Sequence, residues 1–156
     1  GVGPFSIPMA KRGCSLVTHA NDLNPQCIRW LRHNAEVNKL AETVEVQEVP
    51  AFEDGTCCVP EGGTRLVIHA PGDARAFVRA LYARKHPVTH AIFNLPATGI
   101  ELLDCYRQLG FEEAGLPRPL VACYTFSDGA VDDESPDGCV ADLLGRLSVA
   151  LALPAA

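Results

Sequence analysis

Apolar residues recur along the chain in two alternating patterns. Short runs rich in β-branched residues are separated by longer stretches in which apolar positions return every three or four residues. This alternation is typical of βαβ units, where helices connect neighbouring parallel strands. The pattern predicts strands over residues 15–20, 44–49, 65–70, 90–95 and 120–126, and helices over residues 24–41, 73–84 and 140–151. We therefore expect an α/β fold with a mostly parallel sheet and flanking helices.

Local signals mark where these elements end. Asn24-Pro25 places a capping residue before a proline, which is favoured at the first helical position. The buried stripe of this helix would consist of Cys27, Ile28, Leu31 and Ala35. Thr98 and Glu101 have the spacing of a capping box, which predicts a further helix that Gly110 would end in the left-handed conformation. Residues 50–63, with an apparent insertion at 52–63, and residues 127–137 are predicted to be loops.

The composition fits one globular domain. Of 156 residues, 47% are hydrophobic and 21% are charged, which suffices for a single core. No apolar run reaches the ~20 residues that cross a bilayer, and residues 1–4 lack the features of a signal peptide. The formal charge of −6 argues against a free-standing nucleic-acid binder, because such proteins usually present a basic face to phosphates.

Neither the cysteines nor the histidines have the spacing of a metal site or a redox pair. The seven cysteines are Cys14, Cys27, Cys57, Cys58, Cys105, Cys123 and Cys139, and the five histidines are His19, His33, His69, His86 and His90. We expect reduced, mostly buried thiols, and histidines that lie in strands or at the surface. Packing accounts for Cys123 better than covalent catalysis does, because no histidine partner is specified.

The chain opens with a glycine-rich segment, Gly1-Val2-Gly3-Pro4-Phe5-Ser6. Glycines at such a turn let the backbone approach a nucleotide ligand closely. Ser6 replaces the third glycine of the dinucleotide fingerprint, so a plain strand-to-helix turn remains an alternative. Because such a turn normally follows a strand, we expect the first strand of the fold to be missing from this sequence.

Polar side chains follow two of the predicted strands. Asp22 lies about 20 residues after the glycine turn, where a carboxylate can accept hydrogen bonds from both hydroxyls of a ribose. A surface carboxylate or a capping group beside Asn24 would explain it equally well. Asn94-Leu95-Pro96 ends the fourth predicted strand, at the edge where open α/β sheets bind ligands, although such a segment is also common in turns.

Four segments together resemble a known family. They are Gly1-Val2-Gly3-Pro4-Phe5, Asn21-Asp22-Leu23-Asn24-Pro25, Asp73-Ala74-Arg75-Ala76-Phe77 and Asn94-Leu95-Pro96-Ala97. In this order they resemble the core motifs of eukaryotic and archaeal tRNA (guanine-37-N1) methyltransferases. Shorter matches extend the resemblance over nearly the whole chain. Two features depart from the family: Asp-Gly-Arg-Asp-Phe is usual where residues 73–77 stand, and residues 52–63 look inserted.

The resemblance implies a Rossmann-like class I methyltransferase domain that binds S-adenosylmethionine. Gly1 and Gly3 would border the methionine part of the cofactor. Asp22 and Leu23 would contact its ribose and adenine, and Asp73 and Ala74 would lie beside the adenine. Asn94 would lie nearest the transferred methyl group and the target guanine, as a residue with both a catalytic and a cofactor-binding role.

The resemblance also implies the reaction, a methyl transfer to N1 of the guanosine on the 3′ side of the anticodon. N1 must lose a proton, so a base is needed. In the family, the glutamate proposed as base, a supporting arginine and the tRNA-recognition domains precede the glycine motif. This segment is therefore expected to be inactive alone and to bind tRNA weakly. A cytoplasmic monomer without membrane association is expected, with the nucleus and mitochondrion left open.

Three other functions remain open from the sequence. The aminocarboxypropyl transferase of wybutosine synthesis uses the same cofactor, but Asn94-Leu95-Pro96 looks more like the methyltransferase version. An NAD-dependent oxidoreductase is supported by the glycine turn and Asp22, and is opposed by Ser6. A third alternative is a non-catalytic module that retains the fold without turnover.

Overall fold

The computed structural model describes residues 1–13, 17–43, 45–49, 65–107, 109–111, 115–127 and 137–152. Several predictions lie outside these residues: the start of the first strand, residue 44, the loop over 50–63 with its apparent insertion, and most of the acidic loop after residue 127. The chain divides into two compact units, Gly1–Phe77 and Val78–Ala156.

The first unit is built on a three-stranded parallel sheet. Its elements are α1 (Ser6–Lys11), β1 (Val17–Ala20), α2 (Pro25–Val37), a 3₁₀ helix (Leu40–Glu42), β2 (Glu45–Val49), β3 (Arg65–His69) and the start of α3 (Ala74–Ala83). The strand order is β1-β3-β2, and Leu66 of β3 faces Thr18 on one side and Val46 on the other. Because all three strands run in the same direction, their carboxyl ends lie at one edge.

The core of this unit lies between the sheet and two helices. All five residues of β3 are buried, as expected for a central parallel strand that is covered on both faces. The core cluster consists of Ile7, Ala10, Ile28, Leu31, Ala35, Leu40, Leu66 and Ile68. The predicted stripe of α2 is therefore confirmed at three of its four positions, whereas Cys27 is only half-buried.

The carboxyl end of α2 differs from the prediction. The helix ends at Val37, not near residue 41, and a separate 3₁₀ turn follows at Leu40–Glu42. Lys39 adopts the left-handed conformation with φ of 52°, which stops the helix there. The Asn38 side chain also donates a 2.8 Å hydrogen bond to the carbonyl oxygen of Asn34, one of the last carbonyls of the helix.

The second unit contains the rest of α3, β4 (His90–Asn94), a second 3₁₀ helix (Glu101–Tyr106), β5 (Leu120–Tyr124) and α4 (Asp137–Leu151). Strands β4 and β5 pair in parallel, with Asn94 opposite Tyr124. Aromatic rings pack together in this unit: Tyr82 lies 5.1 Å from Phe111 and 6.2 Å from Tyr106 between ring centroids. Burial, with a smaller contribution from Cys105, raises the pKa of Tyr82 to about 12, so this phenol stays neutral within the cluster.

The predicted α/β class and parallel strand direction are confirmed, but a single continuous sheet is not. Among the described strands, β4 pairs only with β5, in a sheet separate from β1-β3-β2. Strand β3 ends one residue inside its predicted bounds, at His69, while β5 stops at Tyr124 and α4 begins earlier than predicted, at Asp137. None of the described helices has the length and apolar character needed to cross a bilayer.

The capping box predicted at Thr98 and Glu101 is wrong. A 3₁₀ helix forms over Glu101–Tyr106, and the residue before it, Ile100, makes no side-chain cap. Both oxygens of the Glu101 carboxylate bind the guanidinium of Arg146. Gly110 does adopt the left-handed conformation, with φ of 56°, but the helix has already ended at Tyr106.

The cysteine prediction holds in part. None of the four described cysteines, Cys27, Cys105, Cys123 and Cys139, forms a disulfide bond. Of these, Cys105 alone is buried and the other three are half-buried. The expectation of mostly buried thiols is therefore wrong for the described cysteines.

Replacing a core residue of α2 should destabilise the protein far more than replacing an exposed residue of the same helix. Ile28 is fully buried, whereas 65% of Val37 is exposed. Ile28→Ala leaves a cavity under the sheet and should cost about 2–5 kcal/mol in the free energy of unfolding. Val37→Ala should change it by less than about 0.5 kcal/mol. Urea unfolding followed by circular dichroism measures both, and equal losses would contradict the described core.

Candidate functional site

The loops that follow β1 and β3 meet at the carboxyl edge of the three-stranded sheet. β1 ends at Ala20 and β3 ends one position further on, at His69. The backbone N–H of Gly72 donates a 3.0 Å hydrogen bond to the carbonyl oxygen of Asp22. This bond ties the two loops together, so the two aspartates predicted for the site, Asp22 and Asp73, lie on adjoining loops. Ligands bind at this edge in open α/β sheets.

The glycine turn is packed tightly against the core. Gly3 is buried and has φ of +95°, a backbone conformation that L side chains rarely adopt. A Cβ atom at Gly3 would lie 2.6 Å from both Ile7 Cδ1 and Leu31 Cδ1. The turn leads into α1, as the strand-to-helix alternative required, and α1 begins at Ser6.

Asn34 also holds this turn, and sequence reasoning missed it. Its side-chain amide donates a 2.9 Å hydrogen bond to the carbonyl oxygen of Val2. Asn34 lies three residues after Leu31 on α2, and residues at this spacing share one side of a helix. Helical periodicity therefore indicated that Asn34 lies on the same side of α2 as Leu31, which packs against the glycine turn.

Asp22 forms a compact set of local contacts. One carboxylate oxygen accepts a 2.8 Å hydrogen bond from the backbone N–H of Asn24, and the other binds the amino group of Gly1. Asn24 is the residue that caps α2, because its side chain accepts a 2.9 Å hydrogen bond from the N–H of Gln26. Asp22 is therefore not the helix cap, and 16% of its side chain remains exposed.

These contacts change the acidity of Asp22. Burial by itself raises the pKa of the carboxyl group, but hydrogen bonds from Gly1, Asn24 and Cys27 and the positive charge of the Gly1 amino group outweigh it. The net effect lowers the pKa below 3.8. Asp22 is therefore a carboxylate at neutral pH, which is the form that accepts hydrogen bonds from hydroxyl groups.

Asp73 caps α3. One of its carboxylate oxygens accepts hydrogen bonds of 2.9 Å from the N–H of Arg75 and 3.1 Å from the N–H of Ala76. Its own backbone carbonyl accepts the first bond of the helix, from Phe77. Asp73 is exposed and the following residue, Ala74, is half-buried, while Leu23 on the adjoining loop is 71% exposed.

Asn94 belongs to the second unit, where it is the last residue of β4 and is exposed. The loop after it is fixed to the segment after β5. The carbonyl oxygen of Pro96 accepts hydrogen bonds of 2.7 Å from the N–H of Phe126 and 2.9 Å from Oγ1 of Thr125. The structure therefore brings Gly1, Asp22 and Asp73 to one edge within the first unit. That Asn94 joins them stays a prediction, because it lies in the other unit.

Arg146 of α4 contacts several segments of the second unit, and sequence reasoning did not single it out. Its guanidinium binds both carboxylate oxygens of Glu101, at 2.7 and 3.1 Å. It also donates a 2.7 Å hydrogen bond to the carbonyl oxygen of Phe126. Asp142 and Arg146 are four residues apart in a largely apolar helix, and this spacing was the available signal.

Cys123 and the histidine pair His19 and His69 have contacts that favour structural roles. Burial, and then the nearby Glu101, raises the pKa of the Cys123 thiol, with Arg146 opposing. A raised pKa disfavours the thiolate, which supports packing over nucleophilic chemistry. His19 Nδ1 and His69 Nε2 lie 2.9 Å apart in a direct hydrogen bond between β1 and β3.

Comparison with known proteins identifies the family. The profile of the TRM5/TYW2 methyltransferase domain matches residues 1–92, which are more than half of the chain and include all of the first unit. The chain belongs to the TRM5/TYW2 methyltransferase domain family. The match covers the glycine turn, Asp22 and Asp73, which are the residues that meet at the sheet edge. No solved structure matches the chain significantly.

Relatives of this methyltransferase domain are proteins called tRNA (guanine(37)-N(1))-methyltransferase. The chain is 39% identical to that of Heterostelium pallidum over 132 residues, which cover 81% of this chain and 25% of the relative. It is 35% identical to that of Dictyostelium discoideum, over 88% of this chain and 25% of the relative. It is 37% identical to that of Mus musculus, over 81% of this chain and 23% of the relative. The chain thus spans about a quarter of the length of these relatives.

Adding a methyl group at Gly3 should destabilise the domain, whereas the same change at Gly145 should not. Gly3→Ala forces a side chain into the left-handed region and against Ile7 and Leu31, which should cost about 2–4 kcal/mol in unfolding free energy. A Cβ at Gly145 in α4 meets no atom within 4 Å, so Gly145→Ala should raise the unfolding free energy by about 0.5–1 kcal/mol. Denaturant titration measures both. A Gly3→Ala protein as stable as the wild type would refute the described turn.

The lowered pKa of Asp22 predicts a loss of stability in acid. A carboxyl group whose pKa is lower in the folded than in the unfolded protein stabilises the fold above its unfolded pKa, and this contribution disappears as pH falls through the folded value. The loss attributable to Asp22 should therefore occur below about pH 3.8. Asp22→Asn should reduce the drop in melting temperature between pH 6 and pH 3. An unchanged drop in that variant would show that Asp22 is not the group responsible.

Proposed function

We propose that this chain is the S-adenosylmethionine-binding part of a tRNA (guanine-37-N1) methyltransferase. The observation that carries the proposal is the meeting of Gly1, Asp22 and the loop of Asp73 at the carboxyl edge of one parallel sheet. The names of the relatives support the reaction and the substrate, and the family supports a methyl donor.

The chemistry of this edge suits an adenosyl group. Asp22 offers a carboxylate that a ribose diol can use as acceptor. The exposed Leu23 offers an apolar surface next to it for a base. Gly3 leaves no side chain between the turn and a ligand. In addition, Nδ2 of Asn21 is buried and has no hydrogen-bond partner among the described residues, a cost that a ligand-bound arrangement could relieve.

Asn94 is proposed to orient the target guanine. S-adenosylmethionine supplies an electrophilic methyl group on a sulfonium when it is bound. The Asn94 side chain offers an acceptor and a donor, which match the polar edge of a base. Its exposure at the end of β4 leaves both groups accessible. Holding the base in line with the methyl group is a positioning effect, which can contribute several kcal/mol to catalysis.

The negative charge of the chain agrees with tRNA binding by other parts of the whole protein. A domain with a formal charge of −6 repels phosphates and gains little affinity from them. We therefore propose that tRNA is bound mainly by parts of the protein that correspond to the remaining three quarters of its relatives. The cytoplasmic monomer expected from the resemblance is retained as part of this proposal.

Replacing Asp22 should remove cofactor binding without unfolding the protein. Asp22→Ala deletes a charged acceptor, so affinity for S-adenosylmethionine in the full-length protein should fall at least about tenfold. Glu36→Ala, which removes an exposed carboxylate from α2, is the matched control and should bind normally. Isothermal titration measures both, with melting curves to confirm folding. Full affinity in a folded Asp22→Ala protein would reject the ribose assignment.

The reaction is tested on tRNA with a guanosine at position 37. The full-length protein should transfer the methyl group to N1, and a tRNA with another base at that position should remain unmodified. Mass spectrometry of the digested tRNA distinguishes a methyl product from an aminocarboxypropyl product, which would favour the alternative transferase. A protein that binds S-adenosylmethionine and modifies neither tRNA would refute the proposed function.

A further inference from the structure

We propose that Arg146 is a positioning residue that fixes the loop carrying Asn94 for the methyl transfer. This inference rests on the proposed function, because it assigns Arg146 a role in the same reaction. Arg146 belongs to the helix α4, more than fifty residues after Asn94 in sequence, and lies beyond the region matched by the family profile. Its contacts connect three separate segments of the second unit.

The first two contacts connect the loop after β4 with the segment after β5. Nη1 of Arg146 donates a 2.7 Å hydrogen bond to the carbonyl oxygen of Phe126, just after β5. Nη2 lies 3.4 Å from the carbonyl oxygen of Ala97, three residues after Asn94. The N–H of Phe126 in turn donates to the carbonyl of Pro96. The guanidinium therefore reinforces a direct bond between the loop after β4 and the segment after β5.

The third contact anchors the guanidinium itself. Glu101 begins the 3₁₀ helix that follows the loop, and both of its carboxylate oxygens accept hydrogen bonds from Arg146. A bidentate arginine–carboxylate pair fixes the plane of the guanidinium as well as its position. With 19% of its side chain exposed, Arg146 has a defined orientation from which to reach the backbone carbonyls.

The loop between these anchors has little freedom of its own. The N–H of Gly99 donates a 2.7 Å hydrogen bond to the carbonyl of Leu95, closing a tight turn directly after Asn94. A Cβ atom at Gly99 would lie 2.9 Å from Sγ of Cys123 in β5, so the turn is seated directly on that strand. Because the turn is short and tightly packed, a displacement of Ala97 would also displace Asn94.

Lysine cannot replace arginine in this arrangement. A guanidinium carries five N–H donors in a planar fork, whereas an ammonium is a single centre that cannot reach Glu101 and two carbonyls from opposite sides together. If Arg146 acts only through the ion pair, a lysine should substitute well and loss of the Glu101 charge should be harmful. If Arg146 acts by holding the carbonyls, the lysine substitution should be more harmful than loss of the Glu101 charge.

The test compares Arg146→Lys and Glu101→Gln in the full-length protein, with Gly145→Ala as the control in the same helix. Kinetics are measured with tRNA and S-adenosylmethionine, and kcat is expressed per cofactor-binding site counted by calorimetry, so that loss of folded protein is corrected for. Arg146→Lys should lower kcat about ten- to a hundredfold, as expected for a small displacement of a positioning group, with KM for S-adenosylmethionine unchanged. Glu101→Gln should lower kcat less, and Gly145→Ala should leave it unchanged.

A second measurement does not depend on activity. Hydrogen exchange at the amides of Phe126 and Gly99 should become faster in Arg146→Lys and remain as in the wild type in Gly145→Ala, because those amides close the loop that Arg146 holds. Unchanged kcat per site in Arg146→Lys, or a larger loss in Glu101→Gln than in Arg146→Lys, would overturn the inference while leaving the proposed function intact. A wild-type protein that binds cofactor but transfers no methyl group would overturn the proposed function, and with it this role of Arg146.

Discussion

The buried central strand β3 is the constraint on which the candidate site depends. It pairs in parallel with β1 on one side and β2 on the other, and its five side chains are all buried. A parallel arrangement brings the ends of these strands to one edge and leaves their loops to meet there. The backbone hydrogen bond between Gly72 and Asp22 is the direct result, and it brings the loops that carry Asp22 and Asp73 next to each other.

Much of the first unit could be predicted because its signals are local. Asn24 caps α2 and the buried stripe of that helix follows the period of 3.6 residues, both of which are readable over a few positions. The end of α2 was not readable, because the left-handed residue is Lys39, where glycine would have been the usual signal. The capping box at Thr98 failed for a different reason: Glu101 is bound by an arginine forty-five residues away, and such a tertiary contact overrides a local pattern.

The candidate site was predictable to a similar extent. Motif order placed Asp22 and Asp73 correctly on loops at one sheet edge, but it did not reveal that each carboxylate also organises its own backbone. Asp22 bonds the N–H two residues on, and Asp73 caps α3. The two supporting residues, Asn34 and Arg146, bind backbone carbonyls, and backbone carbonyls leave no pattern in the sequence that would identify their partners. Residues of a predicted cofactor site are therefore easier to recognise from sequence than residues that hold a loop in place.

Gly3 belongs to the glycine turn and to the hydrophobic core at the same time, since Ile7 and Leu31 occupy the space that its side chain would need. Folding of the first unit and occupation of the turn are consequently linked equilibria. A ligand that binds only the folded turn draws the population toward the folded state, by an amount that grows with the logarithm of its concentration above its dissociation constant. By reciprocity, any change that loosens the packing beneath the turn weakens the apparent affinity for that ligand, even when no contacting atom has been altered.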